Sequence, residues 1–346
     1  MKNFFKKHSR ILVTGGAGFI GSAFIRTIYS NQNIEILNID KLTYAGNLSS
    51  LPEIQDNQSY TFLRGDICDS ALIDSIISEF KPNLIVHFAA ESHVDNSIDF
   101  PEQFLQTNIF GTFNLLNASR KMLANNKNQE FLFYHISTDE VFGDLSLSDL
   151  PFTEESNYYP SSPYSASKAS SDHLVRAWGR TYAIDYIISN CSNNYGPYQY
   201  PEKLIPNTII KAIHRERIPV YGSGEQIRDW LHVDDHIDAI ISIINSGYTN
   251  TNFNIGSQNE IMNIDIVTKI CDFMNKHIND GFNYLSLIGF VKDRPGHDFR
   301  YAINPLKLKT QIGWNSSKNF TVKLEETILW YLENEDWWKA LLNNKD

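Results

Sequence analysis

Two adjacent carboxylates follow a strongly apolar run and could act together as an acid and a base. The run "FLFYHIS" at residues 131–137 has the aromatic and aliphatic content of a buried strand. Asp139 and Glu140 stand just beyond it. In a partly desolvated site, burial and like charge raise the pKa of one of two close carboxyl groups. One group could then donate a proton while the other removes one.

A tyrosine and a lysine stand four residues apart in a segment that predicts a helix after Pro163. Tyr164 and Lys168 would share one face of that helix. A tyrosine has a pKa near 10, so a tyrosine that acts as a base near neutral pH needs a pKa lower by roughly 3, or about 4 kcal/mol. Positive charge on Lys168 and on a nicotinamide ring would favour the phenolate. Such a pair is common on helix surfaces, so its meaning depends on its context.

A dinucleotide fingerprint near the N-terminus supplies that context. Gly16, Gly18 and Gly21 have G-x-G-x-x-G spacing between a short β-rich run and an apolar-periodic helix. The first glycine permits a tight turn, the second lets the backbone approach a pyrophosphate, and the third lets the helix pack closely on the strand. Free N–H groups at the helix N-terminus favour phosphate. The spacing alone could also be a glycine-rich turn without a ligand.

The alternation of strands and helices predicts an α/β fold with a Rossmann-type doubly wound parallel sheet. Strands are predicted at "IEILNID", "TFLRGDI" and "PNLIVHFAAES". Asp40 ends the first of them, about twenty residues after the last glycine, where a carboxylate would bind the adenosine ribose and repel a 2′-phosphate. NAD is therefore favoured over NADP. Ligands bind at the carboxyl ends of such strands, so Asp139 and Glu140 should face a cofactor crevice.

Bulk composition sets the protein class. The 346 residues are 42% hydrophobic and 20% charged, as in ordinary globular proteins. A net charge of −10 argues against non-specific nucleic-acid binding. Three scattered cysteines suggest neither a disulfide framework nor a metal site, and a cytoplasmic location fits best. No stretch has the roughly 18 apolar residues of a membrane span, and glycines interrupt the first apolar run too early for a signal peptide.

Six motifs make the chain similar to the extended short-chain dehydrogenase/reductase family, from about Arg10 to the C-terminus. These are "TGGAGFIG", "STDEVFGD", "YSASK", "NNYGPYQ", "PEKLIP" and "RDWLHVDD". Within that family, the acid pair after Thr138 resembles the dTDP-glucose 4,6-dehydratases. The related 4-epimerases lack the pair, and GDP-mannose dehydratases and UDP-glucuronate decarboxylases carry the glutamate without the preceding aspartate.

The resemblance implies NAD-dependent conversion of dTDP-glucose to dTDP-4-dehydro-6-deoxy-D-glucose. Oxidation at C4, loss of water across C5 and C6, and return of the hydride to C6 would follow one another. Tyr164 would take the proton of the 4-hydroxyl, with Lys168 beside it. Glu140 would remove the C5 proton and Asp139 would protonate the departing 6-hydroxyl. Thr138 would hydrogen-bond the 4-oxygen.

The resemblance also implies two sets of binding residues and no metal site. The residues that would bind NAD are Gly15, Gly18, Phe19, Ile20, Gly21, Asp40, Lys41, Leu42, Thr43, Asp66, Ile67, Ala89, Ala90, Ser92, Thr107, Tyr164, Lys168 and Asn194. The residues that would bind the sugar nucleotide are Ser92, Thr138, Asp139, Glu140, Asn193, Lys203, Leu204, Pro219, Tyr221, Arg228, Asn263, Asp293, Arg294 and His297. Arg228 suits phosphate because its planar fork forms bidentate hydrogen bonds.

The βα rhythm weakens in the second half of the chain. We predict an NAD-binding domain over residues 1–190, to which parts of about 219–255 return. Residues 191–346 would form mainly a smaller, discontinuous domain that binds the sugar nucleotide. The resemblance further implies a homodimer that pairs helices at roughly 101–124 and 163–182.

Three residues depart from the family pattern, and two other functions stay open. Phe142 stands where a tyrosine is usual. Phe299 and Asn304 depart from the usual "DRRYAID", and Phe299 leaves one positive charge fewer near the diphosphate. The same reaction on another nucleotide sugar, such as UDP-glucose, fits the same motifs. A non-catalytic NAD(H)-binding protein is also compatible with the fold, although it would need none of the reactive side chains. A C4 epimerase is disfavoured because it needs no acid pair.

Overall fold

The computed structural model describes residues 9–30, 33–52, 54, 57–126, 128–316 and 319–343. The strands are β1 (Ser9–Thr14), β2 (Ile34–Asp40), β3 (Tyr60–Arg64), β4 (Leu84–His87), β5 (Leu132–Thr138), β6 (Tyr186–Cys191), β7 (Asn193–Tyr195), β8 (Ile218–Tyr221), β9 (Ile227–His232), β10 (Thr251–Ile255), β11 (Glu260–Met262) and β12 (Ile288–Val291). The helices are α1 (Phe19–Ile28), α2 (Ser70–Phe80), α3 (Val94–Asp99), α4 (Pro101–Phe104), α5 (Thr112–Asn125), α6 (Pro163–Tyr182), α7 (Leu204–His214), α8 (Val233–Ser246), α9 (Asn263–Ile278), α10 (Leu306–Ile312), α11 (Phe320–Glu333) and α12 (Glu335–Asn343).

Seven parallel strands form the central sheet in the order β10-β6-β5-β4-β1-β2-β3. This is the predicted Rossmann-type sheet, and the predicted first five strands are confirmed. The strand order reverses between β1 and β4, which is the position where such sheets bind ligands. β10 joins the sheet beside β6, so residues 251–255 return to it from far along the chain. The division of the chain into two domains stays a prediction.

Both faces of the sheet are covered, because successive residues of each strand point to opposite sides. Ile11 and Val13 of β1 belong to one core cluster, which α1 and α8 cover. Leu12, between them, belongs to the cluster on the other face, under α2, α5 and α6. A strand buried on both sides reads as a continuous apolar run, as "ILV" does here.

A second apolar cluster lies outside the main sheet. Helices α7, α9, α11 and α12 contribute Ile209, Ile270, Ile328 and Trp338 to it. Strands β7, β9 and β11 form a three-stranded sheet, and β8 pairs with β12. The fully buried Trp338 donates its indole N–H to the Tyr331 carbonyl at 2.9 Å. The C-terminal helix is thereby fixed to the preceding one.

The two long predicted helices differ in regularity. α6 has the predicted bounds and begins with a capping box at Ser162 and a proline at its first position. The other is interrupted between α4 and α5 by a π-helical segment, Leu105–Gly111. This wide turn buries Asn108, whose side chain donates to the Glu91 carbonyl at 3.0 Å and to Ser167 Oγ at 2.8 Å. Such π segments are frequent at functional sites, and this one supports the loop after β4.

Two further findings concern the chain as a whole. None of the helices in the described ranges combines the length and the apolar content needed to cross a bilayer. Cys68, Cys191 and Cys271 are free thiols.

Truncation of Phe24 tests how much the packing of α1 against the sheet contributes to stability. The Phe24 side chain is fully buried on α1 and contacts the Phe88 ring at 5.5 Å. Truncation leaves a cavity, so Phe24→Ala should lower the free energy of unfolding by about 3–5 kcal/mol in urea titrations. Leu150→Ala, at a side chain that is 86% exposed, should change it by less than about 0.5 kcal/mol. Equal effects of the two substitutions would contradict this packing.

Candidate active site

A cavity of about 320 Å³ lies at the carboxyl edge of the central sheet. Its wall is formed by the segments that follow β1 to β6. Gly15 and Gly18 lie at one end, while Asp139, Glu140 and Tyr164 lie further along it. The reactive side chains and the glycine loop therefore share one cavity, as their positions in the sequence predict.

The glycine loop forms a backbone cradle that a side chain would fill. Gly15 has a left-handed φ of +72°, and a Cβ there would lie 2.5 Å from the Ala89 nitrogen. A Cβ on Gly21 would lie 2.3 Å from the Gly15 carbonyl oxygen. Helix α1 begins after Gly18 without a side-chain cap, so its first N–H groups are free to face a phosphate. The cradle fits the pyrophosphate of NAD.

The glycine loop contains the tight turn that the fingerprint predicts. The Gly18 N–H donates to the Gly15 carbonyl at 3.1 Å, so Gly16 and Ala17 are the central residues of the turn, while the positive φ belongs to Gly15. Gly16 also donates its N–H to Asn38 Oδ1 at 3.1 Å. A Cβ on Gly16 would lie 2.3 Å from that oxygen. Close packing against β2 is therefore the reason for a glycine at this position.

Asp40 holds the loops around the cofactor end of the cavity. Its carboxylate accepts the N–H of Ala17 at 2.9 Å and that of Leu42 at 2.8 Å. Burial raises the pKa of Asp40, and these two hydrogen bonds oppose the rise. Each oxygen keeps a second lone pair that a ribose hydroxyl could use. The predicted ribose contact stays a prediction.

Nearly all of the predicted NAD-binding residues line this one cavity. The exception is Leu42, which has a left-handed φ of 55° and contributes only its N–H to Asp40. Lys41 and Asp66 form an ion pair of 2.7 Å at the rim. The remaining cavity-lining residues of this set are Gly15, Gly18, Phe19, Ile20, Gly21, Asp40, Thr43, Ile67, Ala89, Ala90, Ser92, Thr107, Tyr164, Lys168 and Asn194.

The acid pair lies in a single 3₁₀ turn, Asp139–Phe142, directly after β5. Thr138 caps this turn, because its hydroxyl oxygen accepts the Glu140 N–H at 3.3 Å. The Thr138 hydroxyl also donates to Asp139 Oδ1 at 3.3 Å. Asp139 is only 2% exposed, and no described group donates to its buried Oδ2. A buried carboxyl oxygen without a partner is suited to a bound hydroxyl group.

The two acids differ in their electrostatic surroundings. Burial raises the pKa of Asp139 well above its usual value, and the charge of Glu140 raises it further. Burial also raises the pKa of Glu140, but the positive charges of Arg228, Arg294 and Lys203 oppose the rise. Asp139 therefore holds its proton more firmly than Glu140. This is the split that acid–base elimination needs.

Tyr164 and Lys168 lie on one face of α6 and both line the cavity. Lys168 is 4% exposed and donates from Nζ to the Ile136 carbonyl at 2.7 Å. Burial lowers the pKa of Lys168 to about 8. Burial, and then the charge of Glu140, raise the pKa of Tyr164 well above 10. Burial therefore dominates among the chain's own groups, and the predicted stabilisation of the phenolate by Lys168 together with a nicotinamide cation stays a prediction.

The predicted substrate residues fall into two sets. Ser92, Thr138, Asp139, Glu140, Asn193 and Lys203 line the cavity. The structure places Leu204, Pro219, Tyr221, Arg228, Asn263, Asp293, Arg294 and His297 outside its wall. Of the second set, Pro219 and Tyr221 lie on β8, and Leu204 and Asn263 begin α7 and α9.

The "DRPGH" segment is held by hydrogen bonds and by one ion pair. His297 Nδ1 lies 2.7 Å from Asp293 Oδ1, and Arg294 pairs with Asp95 at 3.2 Å. Asp293 also accepts from the Gln226 side chain at 3.0 Å. The contact from Arg294 to Asp95 joins this segment to the first turn of α3.

Arg228 is more enclosed than a phosphate-binding side chain on a surface would be. It is 4% exposed, and its guanidinium donates to the carbonyls of Ile227 at 2.7 Å and Asp298 at 2.9 Å. The guanidinium also lies 4.2 Å from the centre of the Tyr301 ring. Its charge still acts on Glu140. Its predicted contact with phosphate stays a prediction.

Glu202 lines the cavity but was not predicted as a site residue, and two residues outside the cavity wall, Tyr44 and His93, contact it. The Tyr44 hydroxyl donates to Glu202 Oε1 at 3.1 Å, and His93 Nε2 lies 3.7 Å from Glu202 Oε2. Lys203 Nζ donates to the Ser92 carbonyl at 3.2 Å. These contacts join the loops after β2 and β4 to the turn before α7. The position of Glu202 inside "PEKLIP" is the one sequence signal that could have indicated it. Over the described ranges, no cluster of His, Cys, Asp and Glu could hold a metal ion.

Comparisons with known proteins place the chain in a family. The family model described as GDP-mannose 4,6 dehydratase matches residues 12–327. A dTDP-glucose 4,6-dehydratase from Escherichia coli is 52% identical over 349 residues, which cover 96% of each chain.

Solved structures agree with the sequence comparison. One of them is the dTDP-glucose 4,6-dehydratase DesIV from Streptomyces venezuelae, which was solved with NAD and TYD bound. It is 38% identical to this chain and superposes with a TM-score of 0.88. The match covers 96% of this chain and 99% of the DesIV chain. The dTDP-glucose 4,6-dehydratase from Bacillus anthracis, in complex with NAD, is 42% identical with a TM-score of 0.83 and the same coverage. With this identity over nearly its whole length, and with its acid pair in the cavity, the chain belongs to the dTDP-glucose 4,6-dehydratase family.

Proposed function

We propose that this chain converts dTDP-glucose to dTDP-4-dehydro-6-deoxy-D-glucose with NAD⁺ as a cofactor that is regenerated in each turnover. The observation that carries the proposal is the buried Asp139 beside Glu140, in the same cavity as Tyr164. An enzyme that only oxidises and reduces C4 has no use for such a pair. The printed functions of the relatives in E. coli and S. venezuelae support the same reaction.

The cofactor would be held by the glycine cradle, Asp40 and the residues that line the cavity beyond them. Bound NAD⁺ supplies the acceptor of the C4 hydride, its donor to C6, and a positive charge near the phenol. That charge matters because the chain's own groups keep Tyr164 protonated. With the ammonium of Lys168, it favours the phenolate that takes the proton of the sugar 4-hydroxyl.

The acid pair carries the elimination. The new 4-ketone acidifies the C5–H bond, and Glu140 takes that proton. Asp139 gives its proton to the 6-hydroxyl, the C6–O bond breaks, water leaves, and a C5=C6 double bond forms. Glu140 then returns its proton to C5 as C6 is reduced. Transfer of the proton held by Tyr164 to Asp139 restores both groups, so protons balance over the cycle.

Thr138 contacts both Asp139, which acts in the elimination, and Tyr164, which acts in the oxidation. Its hydroxyl contacts Asp139 Oδ1, and its hydrogen bond to Tyr164 opposes the rise in the pKa of Tyr164. A hydroxyl in this position can bond the 4-oxygen of the sugar. The predicted substrate contacts at Asn193 and Asn263 are supported by their buried Oδ1 atoms, to which no described group donates.

Turnover of dTDP-glucose in the presence of NAD⁺ tests the proposal. Mass spectrometry should show a product that has lost one water. Because one extra methyl group in a pocket is worth about 10–200-fold, kcat/KM should be at least about tenfold higher for dTDP-glucose than for UDP-glucose. Higher activity with UDP-glucose would favour that alternative. NAD⁺ binding without any water loss would favour a non-catalytic binding protein.

Separate substitutions of the two acids should block different steps. Asp139→Asn should lower the rate of water release by about 10²–10⁴-fold, because a general acid is lost, but should still allow exchange of the C5 proton with solvent deuterium. Glu140→Gln should abolish that exchange. The measurements are product formation and deuterium incorporation by NMR, starting from dTDP-glucose or from the isolated 4-keto product.

Glu155→Gln is the matched control for these variants. Glu155 is an exposed carboxylate on the loop between β5 and α6, and its substitution should leave both rates unchanged. If Asp139→Asn stopped C5 exchange as completely as Glu140→Gln, the division of roles would be wrong.

We further propose that the protein acts as a homodimer, in line with the resemblance. The support is a group of exposed apolar side chains on the helical segments from α3 to α6. They are Ile98, Phe100, Leu105, Phe110, Phe113 and Tyr182. Exposed apolar side chains grouped in this way are typical of interaction surfaces. The cytoplasmic location stays a prediction from the scattered cysteines.

Charge on this surface should separate the subunits. The double variant Leu105→Lys, Phe110→Lys should sediment as a monomer, because lysine heads cannot be buried unpaired in an apolar interface. Leu150→Lys, at an exposed leucine on another surface, should leave the dimer intact. A wild-type protein that sediments as a monomer at micromolar concentration would contradict the proposal.

A further inference from the structure

A row of alternating charges runs along α6 away from the reactive tyrosine. Tyr164, Lys168, Asp172 and Arg176 follow one another at intervals of four residues and share one helix face. Lys168 and Asp172 are buried, with Asp172 fully so, whereas Arg176 is half-buried. The family motif accounts for the tyrosine and the lysine, but not for the buried aspartate one turn further on.

The Asp172 carboxylate is held in place by three elements. It accepts hydrogen bonds from Ser137 Oγ of β5 and from the Tyr158 hydroxyl, both at 2.8 Å. The Asn190 amide of β6 approaches Oδ2 at 3.4 Å, and His135 Nε2 lies 3.3 Å from Oδ1. Burial alone would raise the pKa of Asp172, but the proximity of His135, the charge of Lys168 and the hydrogen bond from Tyr158 bring it below its usual value. Asp172 is therefore an anion inside the protein.

Lys168 needs such an anion. An ammonium group in the protein interior is costly unless an opposite charge lies nearby. Its own hydrogen bond goes to the neutral Ile136 carbonyl. Burial lowers the pKa of Lys168 to about 8, and the charge of Asp172 is the largest influence that opposes this fall. Removal of the Asp172 charge would therefore lower the pKa of Lys168 further.

The other groups around this pair do not supply the missing negative charge. Burial lowers the pKa of His87 and His135, the latter to about 4, so both are neutral near pH 7. Burial raises the pKa of Cys191 to about 12 and that of Tyr158 well above 10, so both keep their protons. Arg176 is positive and donates to the Tyr158 hydroxyl at 2.9 Å. Among these groups, Asp172 is the one that carries a negative charge, and that charge acts on Lys168.

We propose that Asp172 is a positioning residue for the reaction, whose buried carboxylate holds Lys168 in its ammonium form beside Tyr164. The effect on catalysis rests on the proposed function, in which the Lys168 ammonium is the chain's own cation beside the Tyr164 phenolate. It concerns a group that does not line the cavity and so does not touch the substrate.

Asp172→Asn removes the charge and keeps the shape. Tyr158→Phe is the matched control, because it removes one hydrogen bond to the same carboxylate and leaves the charge. Both proteins are labelled with ¹³Cε-lysine and titrated by NMR with saturating NAD⁺, and the Lys168 signal is assigned by its loss in Lys168→Arg. The Lys168 midpoint should fall by at least about one pH unit in Asp172→Asn and should stay at the wild-type value in Tyr158→Phe.

Activity supplies a second readout. In Asp172→Asn, kcat should begin to fall at a pH at least about one unit lower than in the wild type. The reason is that Lys168 with a lower pKa loses its proton at a lower pH. At pH 6, kcat should remain within about threefold of the wild type. A uniform loss at every pH in both variants would mean that Asp172 only holds the helix to the sheet, and the proposal would be overturned.

The titration separates this proposal from the proposed function, because it needs no turnover of dTDP-glucose. An unchanged Lys168 midpoint in Asp172→Asn would overturn the proposal even if the wild type were fully active. If Asp172→Asn does not fold, wild-type protein labelled with ¹³Cγ-aspartate gives the answer. The Asp172 signal should report an ionised carboxylate from pH 6 to 9 and should shift at the Lys168 midpoint. A protonated Asp172, or a signal insensitive to that midpoint, would contradict the account.

Discussion

The removal of ionisable groups from water at the carboxyl edge of one parallel sheet governs this site. Asp139, Tyr164 and Lys168 are all less than a tenth exposed. Burial penalises the charged form of each group, so a carboxyl group keeps its proton, a phenol keeps its proton and an ammonium tends to lose one. The hydrogen bonds and neighbouring charges of each group then determine whether it keeps the protonation state that burial favours.

The two acids use burial differently because their neighbours differ. Asp139 combines burial with the like charge of Glu140, which suits a group that must arrive protonated. Glu140 lies closer to solvent and within reach of the positive charges of Arg228, Arg294 and Lys203. One 3₁₀ turn, capped by Thr138, is enough to separate an acid from a base, because Arg294 and Lys203 add positive charge near Glu140 whereas Asp229 adds negative charge near Asp139.

The sheet and the position of the cavity could be predicted from the sequence, because strand patterns and strand ends are local features. Strand periodicity located β1 to β5, and the strand ends located the cavity, since parallel strands bring their carboxyl ends to one edge. The effects that could not be predicted depend on packing between distant segments. Gly15 has a left-handed φ, and Ala89 from the loop after β4 approaches it so closely that no Cβ would fit there. Arg228 reaches backbone carbonyls that only the fold brings to it.

The Tyr164 pKa depends most on a property that the sequence does not indicate. The spacing places Lys168 near the phenol, but burial raises the pKa of that phenol, and the Lys168 ammonium donates to the Ile136 carbonyl. Asp172 gave no signal either, because an aspartate in "SKASSDHL" reads as a surface residue until the strands are placed against it. Buried charge is a property of the tertiary structure, and one sequence indicates only its candidates.

The central claim is that one cavity both oxidises the sugar and eliminates water without losing the hydride. The most direct test is mass spectrometry and NMR of the product from dTDP-glucose deuterated at C4, incubated with the protein and NAD⁺ in ordinary water. The account predicts a product that has lost one water and carries the label at C6. Loss of the label to solvent, or an unchanged substrate with NAD⁺ bound, would contradict it.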